Sequence, residues 1–131
     1  MDRICRVLVV ENSKDIQDLL EHTFIGEGYR FAIAANPTEM RQILARGDVD
    51  VVIIDVILPG QESGLALAEE VAAQGYGVVL VTGHPAHFES VKRSGHRFLY
   101  KPFNLDSLVQ LVDDALREAR AKCKTKKNHL A

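Results

Sequence analysis

Five short apolar segments alternate along the chain with longer segments of helical period. Three of them consist almost entirely of Val, Ile and Leu and have no polar residue at every second position. That pattern is typical of strands buried on both faces of a parallel sheet. The pattern therefore predicts five strands, at residues 6–10, 31–34, 51–54, 78–81 and 98–100.

The segments between the predicted strands have the spacing of amphipathic helices. The first repeats apolar residues at i, i+3, i+4, i+7 and i+8, with Ser13 as its N-cap and Gly26 and Gly28 at its end. The second begins at Asn36, whose following proline suits the first helical position, and ends at Gly47. The others are predicted at 65–74, at 84–94, and from residue 104 towards the C-terminal tail.

Strands that alternate with helices predict parallel strands joined by right-handed crossovers, with helices on both faces of one sheet. The predicted fold is therefore a doubly wound α/β sandwich. Ligands of such sheets bind beyond the carboxyl ends of the strands, where the strand order reverses. The residues that follow the strands are thus the first candidates for a functional site.

Length and charge refine this prediction. The chain has 131 residues, 47% of them hydrophobic and 26% charged, which fits one domain, predicted over 1–120. Residues 1–116 have a formal net charge of −7 and residues 117–131 one of +5. An acidic body argues against direct nucleic-acid binding. The basic tail, 121–131, is interpreted as a solvated helix end or the start of a linker rather than as a site for an anionic partner.

Other classes of protein are excluded by simpler features. No apolar run approaches the length of a membrane span, and the N-terminus does not resemble a signal peptide. Cys5 and Cys123 have no spacing typical of a disulfide framework or a zinc site. His22, His87 and His96 share no ligand spacing and are predicted at the surface. The chain is therefore expected to be cytoplasmic, without a membrane partner.

Four of the five predicted strands end in, or are followed by, polar or charged residues that can bind a ligand or take part in a reaction, namely Glu11-Asn12, Asp55, Thr82 and Lys101. Each has an ordinary alternative role as a cap, a turn residue, a strand residue or a solvated charge. Together, at one edge, they form an oxygen-rich pocket suited to Mg²⁺ beside a carboxylate that can form an aspartyl phosphate. The lysine can contact a phosphoryl group as a point charge, and the threonine can donate a hydrogen bond to it.

With these residues in place, the sequence resembles the receiver domain of bacterial two-component response regulators. The resemblance extends over about residues 4–118. It rests on four stretches in order, VLVVEN at 7–12, VVIIDVILPG at 51–60, VLVTG at 79–83 and FLYKPF at 98–103. It implies a flavodoxin-like sheet of five parallel strands in the order 2-1-3-4-5. It also implies a signalling domain rather than an enzyme, with at most self-phosphorylation from small donors and self-dephosphorylation.

The resemblance also implies a role for each residue. Asp55 matches the phosphoacceptor, which takes its phosphoryl group from a phosphohistidine of a histidine kinase or histidine phosphotransfer protein. Lys101 matches the phosphate-contacting lysine and precedes a cis proline bond. The metal ligands implied for Mg²⁺ are Glu11, Asn12, Asp55 and the backbone carbonyl of Ile57. Thr82 and Phe98 match the switch residues.

Phosphorylation is then expected to change the surface formed by the fourth helix, fifth strand and fifth helix. This surface is expected to bind an unknown downstream protein or a second copy of the chain, which gives a homodimer. Ile57 and His84 match positions that tune the lifetime of the phosphoryl group. One residue departs from the family, because Asn12 replaces an acid and removes a negative charge from the metal site. That change is the only support for one alternative, a binding module that works without phosphorylation. A second alternative, a small flavodoxin-like enzyme or flavin carrier, is disfavoured because no phosphate-binding loop follows the first strand.

Overall fold

A five-stranded parallel sheet forms the centre of the computed structural model, which describes residues 3–4, 6–58, 62–119 and 123–124. The strands lie in the order β2-β1-β3-β4-β5, so the sense in which successive strands are added to the sheet reverses between β1 and β3. This order confirms the expected 2-1-3-4-5 topology. The strands are β1 (Arg6–Val10), β2 (Arg30–Ala34), β3 (Val51–Asp55), β4 (Gly77–Thr82) and β5 (Arg97–Tyr100).

Helices cover both faces of the sheet, as the alternating pattern predicted. α1 and α5 pack on one face, and α2, α3 and α4 pack on the other. A separate two-residue parallel ladder joins Arg3–Ile4 to Cys123–Lys124. The helices are α1 (Lys14–Gly26), α2 (Pro37–Ala45), α3 (Gly64–Ala73), α4 (Phe88–Ser94) and α5 (Leu105–Ala119).

Two apolar layers hold the sheet between its helices. Along β1, Leu8 and Val10 face the layer under α2 and α3, while Val7 and Val9 face the layer under α1 and α5. All four are at most 1% exposed. The absence of polar alternation in these strands thus has a direct cause, since neither face of the central strands meets water.

The predicted helix ends are largely those of the structure. The side chains of Ser13 and Asn36 accept hydrogen bonds from the third residue after each, as N-caps do. The predicted helix at 84–94 is instead a 3₁₀ turn, Pro85–His87, followed by α4. The His84 side chain accepts a hydrogen bond from the Ala86 N–H and begins that tighter turn.

Some predictions concern residues that the structure does not describe or places differently. Cys5 and most of the 121–131 tail lie outside the described residues. His96, predicted at the surface, is half-buried, with its Nε2 3.0 Å from a Glu69 carboxylate oxygen. Within the described ranges, no helix combines the length and the apolar composition needed to cross a lipid bilayer.

Candidate functional site

The four predicted polar positions meet at the carboxyl edge of the sheet. Asp55 is the last residue of β3, and Glu11 follows the neighbouring β1. Thr82 ends β4, on the other side of β3, and Lys101 follows β5. The parallel sheet therefore brings residues from four distant parts of the sequence to one edge, as the pattern predicted.

Asp55 is held in one orientation through both carboxylate oxygens. Its Oδ1 accepts a hydrogen bond from the Ile57 N–H at 3.0 Å. Its Oδ2 accepts one from the Lys101 ammonium at 2.9 Å. The residue is only 9% exposed, so the carboxylate lies at the surface of the site without extending freely into solvent. This arrangement presents an oriented carboxylate oxygen to an incoming group.

Glu11 is the second buried carboxylate of the site, at 5% exposure. One oxygen accepts a hydrogen bond from the Ser13 N–H at 3.0 Å, and the other lies 3.7 Å from the Lys101 nitrogen. Burial raises the pKa of Glu11, and the neighbouring Asp55 carboxylate raises it further, while the Ser13 N–H and the Lys101 charge oppose both. Two carboxylates packed this closely favour an additional positive charge between them.

Lys101 lies within 4 Å of both carboxylates, and among the described residues no other ammonium comes that close to either of them. Burial lowers the pKa of the Lys101 side chain, but its hydrogen bond to Asp55 and the charges of Asp55 and Glu11 outweigh burial and raise it above the ordinary value. The ammonium therefore stays charged at neutral pH. The peptide bond that follows, to Pro102, is cis, as the resemblance implied.

Thr82 and Phe98 lie beside this cluster. Thr82 is fully buried, and its hydroxyl oxygen accepts a long hydrogen bond of 3.3 Å from the His84 N–H. Phe98 is half-buried against the core layer under α3 and α4 and lies 5.2 Å, between ring centroids, from Tyr100. Both predicted switch residues thus lie along the sheet face that α4 covers.

The oxygen atoms of the site fit a hard divalent cation. The Glu11 and Asp55 carboxylates are buried next to each other, and Asn12, which is exposed, follows directly after Glu11. With Lys101 the two carboxylates give a formal charge of −1. Within the described ranges no group of three or more His, Cys, Asp or Glu side chains forms a metal site. A metal here would therefore need amide and backbone oxygens besides the two carboxylates.

Two glycines shape the site in a way that the sequence pattern did not reveal. The Gly64 N–H at the start of α3 donates to the Val56 carbonyl at 2.9 Å, and a Cβ on Gly64 would lie 2.3 Å from the Asp55 carbonyl oxygen. Gly83 leaves room for the Lys101 side chain, whose Cβ would lie 3.2 Å from an added methyl group. Both glycines depend on contacts across the fold, which leave no local signal in the sequence.

A surface cluster near the same edge was also missed. The Arg41 guanidinium on α2 bonds bidentately to Glu62, which precedes α3, and to Glu70 within α3. The four distances lie between 2.6 and 3.0 Å. The pKa of Arg41 is raised and those of both carboxyls are lowered by these hydrogen bonds. This exposed network connects α2 to the segment that leads into α3.

Comparison with known proteins agrees with this geometry. A sequence model described as the response regulator receiver domain matches residues 7–113. The chain belongs to this family. The receiver domain is accordingly a signalling module of two-component systems, and family membership supports a phosphoacceptor role.

Curated relatives of the receiver domain are longer than the chain. It is 31% identical over 122 residues to a putative NtrX-like response regulator of Rickettsia bellii, covering 88% of the chain and 26% of the relative. It is 28% identical over 114 residues to the TorCAD operon transcriptional regulatory protein TorR of Escherichia coli, covering 84% of the chain and 49% of the relative. The chain thus spans about a quarter to a half of these proteins.

Solved structures with the same fold include two receiver domains at similar identity. The receiver domain of TorR has a TM-score of 0.79 and 28% identity, covering 88% of this chain and 99% of that one. The response regulator TrrA of Thermotoga maritima has a TM-score of 0.76 and 29% identity, covering 86% of this chain and 100% of that one. The TrrA structure is a complex with Mg²⁺ and BeF.

Proposed function

We propose that Asp55 is the phosphoacceptor of this receiver domain and takes a phosphoryl group from a phosphohistidine of a histidine kinase or histidine phosphotransfer protein. The observation that supports this most directly is the Lys101 ammonium, 2.9 Å from one Asp55 oxygen and 3.7 Å from Glu11. A fixed positive charge beside the oriented carboxylate offsets the negative charge of the incoming phosphoryl group, and this favours attack by the carboxylate oxygen.

The transfer is a displacement at phosphorus. An Asp55 oxygen forms the new phosphorus–oxygen bond as the phosphorus–nitrogen bond of the donor breaks, and the donor imidazole leaves with that electron pair and takes up a proton. Lys101 stays protonated and moves from the free carboxylate to a phosphoryl oxygen. The Thr82 hydroxyl donates to another of these oxygens, which replaces its long hydrogen bond with the His84 N–H.

We assign a Mg²⁺ site to the Glu11 and Asp55 carboxylates, the Asn12 amide and the Ile57 backbone carbonyl. The ion, when bound, supplies positive charge next to the phosphoryl oxygens. The TrrA complex with Mg²⁺ and BeF supports this assignment by analogy. The close packing of two buried carboxylates supports it from this chain, because one ammonium leaves that pair with unneutralised negative charge.

Asn12→Asp is expected to lower the Mg²⁺ concentration at which phosphorylation is half-maximal by several-fold. The substitution adds one negative charge to the ligand set, and ligand charge tunes affinity in such sites. The measurement is the phosphorylated fraction after a fixed time in acetyl phosphate, titrated with Mg²⁺. Asn104→Asp, an exposed N-cap change at the start of α5, serves as the charge-matched control. Equal midpoints for wild type and Asn12→Asp would contradict the expected role of this residue.

Phosphorylation acts on the rest of the protein through Thr82 and Phe98. Thr82 moves towards the phosphoryl oxygens, and Phe98 turns into the space that it leaves. The surface of α4, β5 and α5 then changes, and a downstream protein or a second copy of the chain binds it. The proposed setting is the cytoplasm, without a membrane partner and without direct nucleic-acid contacts.

The lifetime of the phosphoryl group is set beside the site. Ile57 is 47% exposed and apolar, so it cannot orient an attacking water by hydrogen bonding. His84 is also exposed, and its Nδ1 already accepts a hydrogen bond from the Ala86 N–H. These features favour a long-lived acyl phosphate. The other ring nitrogen of His84 is the group that can orient a water and shorten that lifetime.

The proposed function is tested by incubating the protein with acetyl phosphate and Mg²⁺ and measuring its intact mass. We expect the wild type to gain one phosphoryl group and Asp55→Asn to gain none, because the amide lacks a nucleophilic carboxylate. Asp50→Asn is the matched control, since Asp50 is also buried, at 4% exposure against 9% for Asp55, but precedes β3 and accepts a hydrogen bond from the Arg6 N–H. No gain by the wild type would favour the binding module that works without phosphorylation.

A further inference from the structure

The hydroxyl of Tyr100 has an unusual environment. Its oxygen is inaccessible to solvent and has no hydrogen-bond partner among the residues that the structure describes. Buried polar groups in folded proteins nearly always have a partner, and a donor buried without one destabilises the conformation that contains it. The hydroxyl therefore needs an explanation that the proposed phosphorylation chemistry alone does not supply.

Tyr100 lies next to the site and next to α4. It is the register partner of Thr82 across β4 and β5, and the Lys101 N–H that follows it donates to the Thr82 carbonyl at 2.8 Å. Its ring centroid lies 4.0 Å from that of Phe88, the first residue of α4, and 5.2 Å from that of Phe98. The residue thus links the end of β4 to the beginning of α4.

The three aromatic rings lie on one face of the sheet. Phe98 packs against the core layer that includes Leu80 and Val91, while Leu99 packs against the layer on the opposite face. Because side chains alternate along a strand, Tyr100 shares the face of Phe98. Tyr100 and Phe88 thus form a line of contact from the end of β4 to α4 that does not include Phe98.

We propose that Tyr100 is a second aromatic element of the switch, and that its unpaired hydroxyl raises the free energy of the resting conformation, which narrows the gap to the switched conformation. The proposal rests on the proposed function, since phosphorylation of Asp55 supplies the pull on Thr82. When Thr82 moves, the segment between it and Phe88 rearranges and the Tyr100 hydroxyl gains a hydrogen-bond partner. Tyr100 then acts as a positioning residue for α4, not as a group that touches the phosphoryl oxygens.

The first test is the stability of the unphosphorylated Tyr100→Phe variant. Removing an unpaired buried hydroxyl while keeping the ring is expected to lower the unfolding equilibrium constant in urea between about 5-fold and 100-fold. Tyr29→Phe is the matched control, because the Tyr29 hydroxyl is buried and bonds to the buried Asp113 carboxylate. That control is expected to raise the unfolding constant. A Tyr100→Phe variant less stable than the wild type would overturn the proposal.

The second test measures the switch itself. Both proteins are phosphorylated with acetyl phosphate and Mg²⁺, and amide chemical shifts of α4 report the ratio of switched to unswitched molecules. We expect Tyr100→Phe to accept one phosphoryl group, as the wild type does. The ratio of switched to unswitched molecules is expected to fall at least about 5-fold, because the substitution removes an unpaired hydroxyl from the resting state only. An unchanged ratio would overturn the proposal.

These readings separate the two proposals. A wild-type protein that gains no mass contradicts the proposed function, and the link from Asp55 to Tyr100 fails with it. A wild-type protein that gains one phosphoryl group, with a destabilised Tyr100→Phe variant or an unchanged switching ratio, contradicts the role of Tyr100 alone. A stabilised variant that is phosphorylated but switches less supports both.

Discussion

Lys101→Met is expected to slow phosphorylation of Asp55 by about 100-fold or more. Methionine keeps most of the length of the lysine stem and removes the ammonium, with its charge and its hydrogen bond to Asp55. Loss of one fixed group that stabilises charge in a transition state costs roughly 10²–10³-fold in rate in comparable sites. The rate is measured from the growth of the phosphorylated mass at fixed acetyl phosphate and Mg²⁺.

The structure supports a large effect because Lys101 has two partners here and both are buried carboxylates. Asp55 and Glu11 are 9% and 5% exposed, so their charges are poorly screened by water once the ammonium is removed. The lysine side chain is itself only 28% exposed. Without it, an incoming phosphoryl group would add negative charge to a pair of carboxylates beside which the described part of the chain places no other ammonium within 4 Å.

Lys14→Met is the matched control for that variant. Lys14 also pairs with an aspartate, Asp18, at 2.6 Å, but its side chain is 77% exposed. Exposed pairs of this kind are screened by water and contribute little to stability, and this pair has no part in the proposed chemistry. We expect the control to be phosphorylated at the wild-type rate. If Lys101→Met were phosphorylated as fast as the control, the proposed role of the ammonium would be wrong.

The convergence of the site was predictable because it follows from topology. In a parallel sheet every strand delivers its carboxyl end to the same edge, so Glu11, Asp55, Thr82 and Lys101 need only follow strands that are recognisable from their apolar runs. Confirmation of the fold and of the family does not by itself test what each residue does. The roles assigned to these four residues therefore stay predictions for the variants described above.

Features set by contacts between distant segments could not be predicted in the same way. The Tyr100 hydroxyl is unusual only because of what surrounds it, and an aromatic residue in a strand is otherwise ordinary. The split of the predicted helix at 84–94 has a local cause, since the His84 side chain caps the 3₁₀ turn at Pro85–His87, but apolar spacing alone does not distinguish that turn from the first turn of a helix. A periodic pattern reports which face of a segment is buried, but not which atoms meet there.

Gly64 is the clearest case of such a contact, and its replacement by alanine is expected to destabilise the protein by about 3 kcal/mol. A Cβ at this position would lie 2.3 Å from the Asp55 carbonyl oxygen and 2.6 Å from the Val56 Cα. Both atoms belong to the backbone, so no side-chain rotation relieves the overlap. Overpacking of this kind typically costs about 1–3 kcal/mol, and a backbone neighbour places Gly64→Ala at the upper end.

The relief of that overlap would also disturb the site. Either α3 moves outwards, which breaks the Gly64 hydrogen bond to the Val56 carbonyl, or the end of β3 moves and carries Asp55 with it. A displacement of the nucleophile by about 1 Å is enough to cost on the order of 10²-fold in rate. Gly64→Ala is therefore expected to be phosphorylated more slowly as well as to unfold at lower urea concentration.

Gly26→Ala separates this steric effect from the general effect of replacing a glycine in a helix. Gly26 is the last residue of α1, is exposed, and has no atom within 4 Å of an added Cβ. Alanine favours the helix over glycine by about 0.5–1 kcal/mol, so this control is expected to be as stable as the wild type or slightly more stable. Opposite signs for the two substitutions would show that α3 packs directly on the backbone of Asp55. A Gly64→Ala protein as stable as the control would mean that the helix and the strand end do not approach this closely in solution.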